Sequence, residues 1–475
     1  MIRSKVIDIL RTFSKEDIKK FSDYLASPLF NKREVILNLF NIYKKYHPGF
    51  SDNSLTKEKV FRKISDGKSY NDEVFRNLNS ILLKHTEDFL SYLNYSGNPV
   101  TVKKHLLSEI NFRSLLPVFE KHFEESGKLL ESEKHRDIEY FFRNYNMFLQ
   151  KDIYNSFINR FSKEDIIIAE KNLVIFFITK IMEIQNYILY ECRILGLDNS
   201  LYLNDNFLES ILKNIPSEIK QLPQIKIYYN ALKLEQTNKE TYYNNLKELL
   251  FKHGDLIEKE KHYNMYADMI DYIKRTRPKD DLKTTSEIFE LRKDIIEKNL
   301  FTENFITNMF FLNVVKSGLK LGKSGWVENF IKNYGSLLTE KYRESTTELS
   351  YAYLHFEKKD FGKALSFASR VRYEDNYYNL EVRNLTARIY YETDSYEILN
   401  DFINSYRMYL SKNRALNIKD ISSHTLFLSF TGKLLKIKEL MKYHKLDELE
   451  AQVTKKDFIN KYWILEKIKE LEKDK

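Results

Sequence analysis

Glycine occurs 12 times and proline 7 times in these 475 residues, and that scarcity constrains the fold more than any other feature. A β-rich or α/β chain of this length needs many more of both, because its turns draw on glycine's positive φ and proline's fixed φ. Helices joined by short polar loops need few. Hydrophobic residues make up 43% and aromatics 14%, enough apolar surface to offset chain entropy over most of the length. The sequence therefore predicts an ordered all-α protein, built as two or three domains or as one extended repeat array.

Cys192 is the single cysteine, so neither an intramolecular disulfide nor a thiolate metal cluster is expected, and a packed, inert thiol is the favoured reading. The first eleven residues interrupt their apolar positions with charges and show no small-residue cleavage site, unlike a secretory signal. The most apolar segment, Leu173-Val-Ile-Phe-Phe-Ile178, lies between Lys171 and Lys180. It is far shorter than the roughly 20 residues of a membrane span and reads as a buried helix. A cytoplasmic protein without a membrane segment is the expectation.

Helix starts are written twice in the same six letters, Phe13-Ser-Lys-Glu-Asp-Ile18 and Phe161-Ser-Lys-Glu-Asp-Ile166. Each places Ser14 or Ser162 at the N-cap, acids in the first turn, and Phe and Ile at the spacing of a hydrophobic staple. A first helix then stops at Ser27-Pro28, and a second, carrying Val35 to Tyr43, stops at His47-Pro48-Gly49. Thr56 caps a short third. A long amphipathic helix with Val74, Phe75, Leu78, Ile81, Leu82 and Phe89 runs from Asn71 towards Leu93, and Tyr95-Ser-Gly-Asn-Pro99 ends it.

A period is legible in the C-terminal half. Ala352, Phe356, Phe361 and Ala364 recur 35 residues later as Ala387, Tyr391, Tyr396 and Leu399. They are foreshadowed 35 earlier by Ser317, Leu321, Trp326 and Asn329, with Asn329 the one failure. Ala231 and Ala267 extend the small-residue ladder upstream. This pattern resembles the tetratricopeptide repeat: a small residue where paired helices pack closely, an aromatic opening the second helix, and a small or apolar residue one turn on, with Phe361-Gly-Lys-Ala364 the best match. The first-helix Trp, the Leu-Gly pair and the closing Pro of that repeat are missing. Ser27-Pro-Leu-Phe-Asn31, the helix carrying Arg76, Asn77, Leu78 and Ser80, and Tyr406-Arg-Met-Tyr-Leu410 with Arg414 resemble a family of bacterial, Bacteroidota-type helical proteins. That resemblance implies no activity. The expected organisation is an N-terminal helical domain over 1–96, long helical hairpins over 97–215, and a TPR-like α-solenoid over 216–475.

A formal charge of +9 comes from 77 Lys and Arg against 68 Asp and Glu, and about six of the nine surplus charges precede residue 130. They fall in pairs that include Lys19-Lys20, Lys32-Arg33, Lys44-Lys45 and Arg62-Lys63. A solvated helix face is the plainer reading of these pairs, and a nucleic-acid contact the alternative. The 33 Tyr and 33 Phe could stack on bases, but most sit on apolar helix stripes where core packing is expected.

Motifs of chemistry fail on spacing. Gly67-Lys68-Ser69 and Gly322-Lys323-Ser324 lack the glycine five positions ahead that a phosphate loop needs, since Arg62 and Ser317 stand there. No His-Glu-x-x-His occurs among ten histidines, and His105 with Glu109 or His122 with Glu125 are ordinary surface pairs. Neither a metal nor a cofactor is implied, and no catalytic residue is assigned. The expectation is a non-enzymatic protein-protein interaction scaffold or adaptor for an unidentified protein or peptide, with Tyr353, Asn384 and Arg388 facing the inner groove of the repeats. A nucleic-acid-binding adaptor using the basic N-terminal region is the alternative.

Overall fold

The computed structural model describes residues 4–50, 55–198, 200, 205–278, 281–301, 305–372 and 376–473. Among these residues the secondary structure is 24 α-helices, four short 3-10 turns and one isolated bridge between Ile306 and Leu338, with no strand. The protein is all-α. Two compact units divide it, Met1–Phe177 and Ile178–Lys475.

In the first unit the capping signals set the helix starts. Ser14 Oγ accepts from the Asp17 amide at 3.1 Å and Asp17 returns the bond to the Ser14 amide at 2.9 Å, closing a capping box on the Lys15–Ala26 helix. Thr56 caps Lys57–Ile64, and Asn71 caps Asp72–Ser96 by accepting from the Val74 amide at 3.1 Å. The Asp72–Ser96 helix packs against Lys5–Leu10, Lys15–Ala26 and Glu34–Lys44, and their common core is aromatic. Phe21, fully buried, has the Phe40 and Phe89 rings at 4.8 and 4.9 Å. Val74, expected on the apolar stripe, is exposed at the edge of this core. A second core joins Pro99–Phe112, Phe119–Glu131 and Ile138–Phe157 around Leu107, Phe119 and Met147.

In the second unit consecutive helices pack as neighbours. Pro223–Thr237 lies against Glu240–His253, Lys259–Thr276 against Leu282–Glu297, and Asn308–Lys320 against Ser324–Tyr334. Glu340–Glu357 lies against Phe361–Ser369, Asn376–Glu392 against Tyr396–Lys412, and Ile418–Glu439 against Leu446–Thr454 and Lys461–Lys473. Asn308–Lys320 also contacts Glu340–Glu357, which contacts Asn376–Glu392. Within the Ile178–Leu195 stretch Ile178 and Met182 are buried, whereas of the Leu173–Ile178 segment expected to be buried Leu173 and Phe177 remain exposed. No helix is long and apolar enough to cross a membrane among the described residues.

The spacing of these helix pairs is not uniform. Lys320 and Glu357, which end successive first helices, are 37 positions apart, whereas Glu357 and Glu392 are 35 apart. Three identical turns fix this register. Gly322, Lys359 and Asp394 occupy the left-handed region at φ 70°, 58° and 54°. After each, the next amide reaches back across the turn: Lys323 to the Gly318 carbonyl at 2.9 Å, Asp360 to His355 at 2.9 Å and Ser395 to Tyr390 at 3.0 Å. On this register Val327, not Asn329, matches Ala364 and Leu399. All three are fully buried, and Asn329 is exposed. The shift mends the match at Asn329 but undoes the other three: a step of 37 sets Val315, Leu319 and Ser324, not Ser317, Leu321 and Trp326, against Ala352, Phe356 and Phe361.

The close approach in the first of these pairs is made by Gly318 rather than Ser317. A β-carbon at Gly318 would come within 2.6 Å of Val327 Cγ2 and 3.0 Å of the Phe289 ring. Ser317 turns its hydroxyl onto the Asn313 carbonyl at 2.7 Å. Ala352 and Ala387 are fully buried and Ala231 nearly so, but Ala267 is exposed, and Met265, Tyr266, Met269 and Ile270 carry the packing of its helix. Gly318→Leu is expected to cost about 3 kcal/mol, the upper end of overpacking penalties, seen as a lowered midpoint in urea. An unchanged midpoint would mean that the helices part freely at this crossing.

Candidate functional site

Three helices of the second unit each turn one polar residue inward. Lys316 on Asn308–Lys320, Tyr353 on Glu340–Glu357 and Glu381 on Asn376–Glu392 meet where apolar contacts surround them. Lys316 Nζ lies 2.6 Å from Glu381 Oε2, and the Tyr353 hydroxyl donates to the same oxygen. Glu381 is only 7% exposed, so its charge survives through these partners. Burial pushes its carboxyl up, but the Lys316 charge and the bonds from Lys316 and Tyr353 outweigh it and hold it below the ordinary range. Burial, then Glu381, lifts the Tyr353 phenol well above its usual value. Tyr353 is therefore a hydrogen-bond donor here and neither a base nor a nucleophile.

One turn along, Asn384 Oδ1 accepts from the Tyr406 hydroxyl at 3.1 Å and lies 3.1 Å from His424 Nδ1, while Tyr406 and His424 are 2.8 Å apart. Burial lowers the His424 pKa and favours the neutral ring. Arg388 lays its guanidinium 4.6 Å from the Phe356 ring centroid and 5.7 Å from that of Tyr353. Asn384 Nδ2 and Arg388 Nε are buried without a hydrogen-bond partner, at a cost of about 1–3 kcal/mol each.

The three residues expected at the inner groove are thus neighbours in this network. Tyr353 and Asn384 are buried at 6% and 2% exposure, with their polar ends turned to Glu381, Tyr406 and His424 and not offered to solvent. Arg388 is half-buried. Sequence reasoning assigned no role in this site to Lys316, Glu381, Tyr406 or His424. Glu381 was findable: Glu381, Asn384 and Arg388 follow i, i+3, i+7 and share one helix face, so a stripe chosen for the last two includes the first. Lys316 and His424 come from other helices and left no such signal.

The eight basic candidates, Lys19, Lys20, Lys32, Arg33, Lys44, Lys45, Arg62 and Lys63, are all exposed on the first unit. Among the described residues, only Lys20 of these has an acid partner, Glu16 at 2.8 Å. Lys44, Arg62 and Lys63 occupy last turns of their helices, where the macrodipole favours cations. That placement gives them a structural reason as well as a functional one.

The remaining motifs sit at turns and on surfaces. Gly67 and Gly322 are left-handed at φ 83° and 70°, each in a loop between helices. Lys323 extends over the Phe289 ring to Glu290 at 2.9 Å. His122 lies 3.2 Å from Glu125, which Lys103 also holds, and exposed His105 packs on Tyr95. Cys192 is a half-buried free thiol. Among the described residues no three His, Cys, Asp or Glu side chains are grouped as metal ligands. No protein-family model, curated protein or solved structure matches the chain.

Proposed function

We propose that the chain is a non-enzymatic interaction scaffold whose second unit is a TPR-like α-solenoid binding a protein or peptide segment. The observation that carries this reading is the succession of helix pairs packed as neighbours, three of them closed by turns at Gly322, Lys359 and Asp394 with fully buried Val327, Ala364 and Leu399 one turn into each following helix. Repeats so closed stack through nearest neighbours and leave a continuous surface for a ligand segment. Lys316, Tyr353 and Glu381 are engaged with one another, an arrangement that holds helices together rather than one that attacks a substrate. Cross-linking in cells, identification of the captured partner and reconstitution from purified components test the reading. A saturable complex weakened by Arg388→Ala more than by Arg388→Lys, measured at a temperature where both variants remain folded, is expected. Failure to recover any partner across growth conditions counts against the scaffold.

A second reading, nucleic-acid binding through the N-terminal unit, is favoured by one observation: seven of its eight exposed candidate cations have no acid partner among the described residues. Neutralising several phosphates makes affinity fall steeply with salt, as a power of concentration close to the number of contacts. If this reading holds, fluorescence anisotropy with labelled single- and double-stranded oligonucleotides will show binding at 50 mM salt, on the order of a hundredfold weaker at 200 mM. Absence of binding at the lower salt removes it.

A further inference from the structure

The Ile178–Leu195 stretch and the Pro223–Thr237 and Lys259–Thr276 helices meet in a cluster of three acids and two arginines. Arg193 reaches Glu235 at 2.5 Å and Asp271 at 2.8 Å, and Arg275 reaches the same two carboxylates at 3.3 and 3.1 Å. Each arginine is thereby shared between Glu235 and Asp271. The third acid, Asp268, lies one turn before Asp271 on the same helix and makes no ion pair among the described residues. Its partner is an amide: Asn186 Nδ2 lies 3.0 Å from Asp268 Oδ2. The other end of that amide, Asn186 Oδ1, is buried with no hydrogen-bond partner.

An ionised Asp268 leaves this arrangement unsatisfied, because a carboxylate, which only accepts, cannot serve the orphaned amide oxygen. Turning the amide over does not help, because it sets oxygen against oxygen and strands the nitrogen. One proton on Asp268 supplies the missing donor and removes a negative charge from beside Glu235 and Asp271. We propose that Asp268 is held protonated in the folded protein, donating to the Asn186 side-chain carbonyl. The resulting two-bond acid–amide pair latches the Ile178–Leu195 stretch to the Lys259–Thr276 helix and loosens as pH rises.

The charges around the pair act in the same sense. Desolvation between the helices pushes the Asp268 carboxyl up to about 7, Glu235 and Asp271 add to this, and the Asn186 bond and Arg193 oppose it. Glu183 and Lys261, also carried by the two latched elements, are paired with each other at 3.3 Å. An acid whose folded pKa is raised binds its proton more tightly folded than unfolded. Its stabilisation is complete below the unfolded value, fades as pH rises from about 4 to about 7, and is gone above.

Asp268→Asn mimics the protonated acid, since an amide can donate to Asn186 Oδ1 and accept from its nitrogen at any pH. For the full chain, the ratio of wild-type to Asp268→Asn unfolding constants should climb by up to about tenfold per pH unit between about pH 5 and 7, then level off. Amides of the Ile178–Leu195 stretch should exchange faster at pH 8 than at pH 6, beyond the intrinsic change, in wild type only. A pH-independent ratio overturns the proposal. Should the variant not fold, infrared spectra of the wild type decide it: the carbonyl stretch of a protonated carboxylic acid must be present at pH 6 and lost by pH 8.5. If it is missing at pH 6, Asp268 is ionised and the latch does not exist.

Discussion

Glu381→Leu is expected to destabilise the second unit by about 3–5 kcal/mol, the usual result of deleting one partner from a buried ion pair. The loss is not of one contact. Lys316 Nζ and the Tyr353 hydroxyl converge on a single carboxylate oxygen, and removing it leaves a phenol buried without an acceptor and an ammonium without its counter-charge. Lys316 keeps a third of its side-chain surface in contact with solvent, so it can turn to water, and this moves the expectation towards the lower end of the range. Glu381→Gln keeps an acceptor for Tyr353 while losing the charge, and should cost about half as much. The pH dependence has the opposite sign to that of Asp268. A carboxyl held below its ordinary value stabilises at pH above the unfolded pKa and loses that contribution as pH falls through its folded value. Urea titrations at pH 7 and pH 4 should therefore show a smaller gap between wild type and Glu381→Leu at the lower pH. Equal gaps at both would mean that the pair is not charged as drawn.

The repeated hexapeptide supplies the second large effect. Phe13→Ala is expected to cost about 3–5 kcal/mol, whereas Phe161→Ala, the same change in the same six letters, should stay within about 0.5 kcal/mol. Phe13 is 6% exposed, with the Phe21 and Phe89 rings at 5.9 and 5.8 Å, and belongs to the same core as buried Ile18. Phe161 is 77% exposed, and Ile166 is exposed with it. Scanning calorimetry of the two variants beside the wild type makes the comparison. Equal losses would mean that Phe161 is covered in solution by something absent from this fold.

The two hexapeptides also mark how far sequence reading reaches. Both serines cap: Ser14 Oγ accepts from Asp17 at 3.1 Å and Ser162 Oγ from Asp165 at 3.3 Å. The distant partners differ. Asp17 closes the capping box, while the Asp165 carboxylate takes the Asn155 amide at 3.0 Å. The same division runs through the repeats. Small and aromatic residues at a steady interval announced helix pairs, but adding a fixed 35 missed a step of 37, because turn register follows where the chain closes its left-handed residue. It also assigned to Ser317 a close contact that Gly318 makes.

By itself the sequence determined what depends on neighbours within a few positions: the all-α class, the caps at Ser14, Thr56 and Asn71, and the turns at Gly67 and Gly322. Those outcomes rest on backbone conformation and on bonds spanning one helical turn, which local residue types fix. Only the tertiary structure decided that Tyr353 and Asn384 turn inward, that Glu381 draws Lys316 from another helix, and that Asp268 is left opposite an amide rather than an arginine. Those outcomes depend on which helices adjoin and how they are rotated, and a side chain's surroundings are then set by residues far away in the chain. The fold was legible because helix formation is local, and the chemistry of its buried charges was not, because desolvation and pairing are properties of the assembled core.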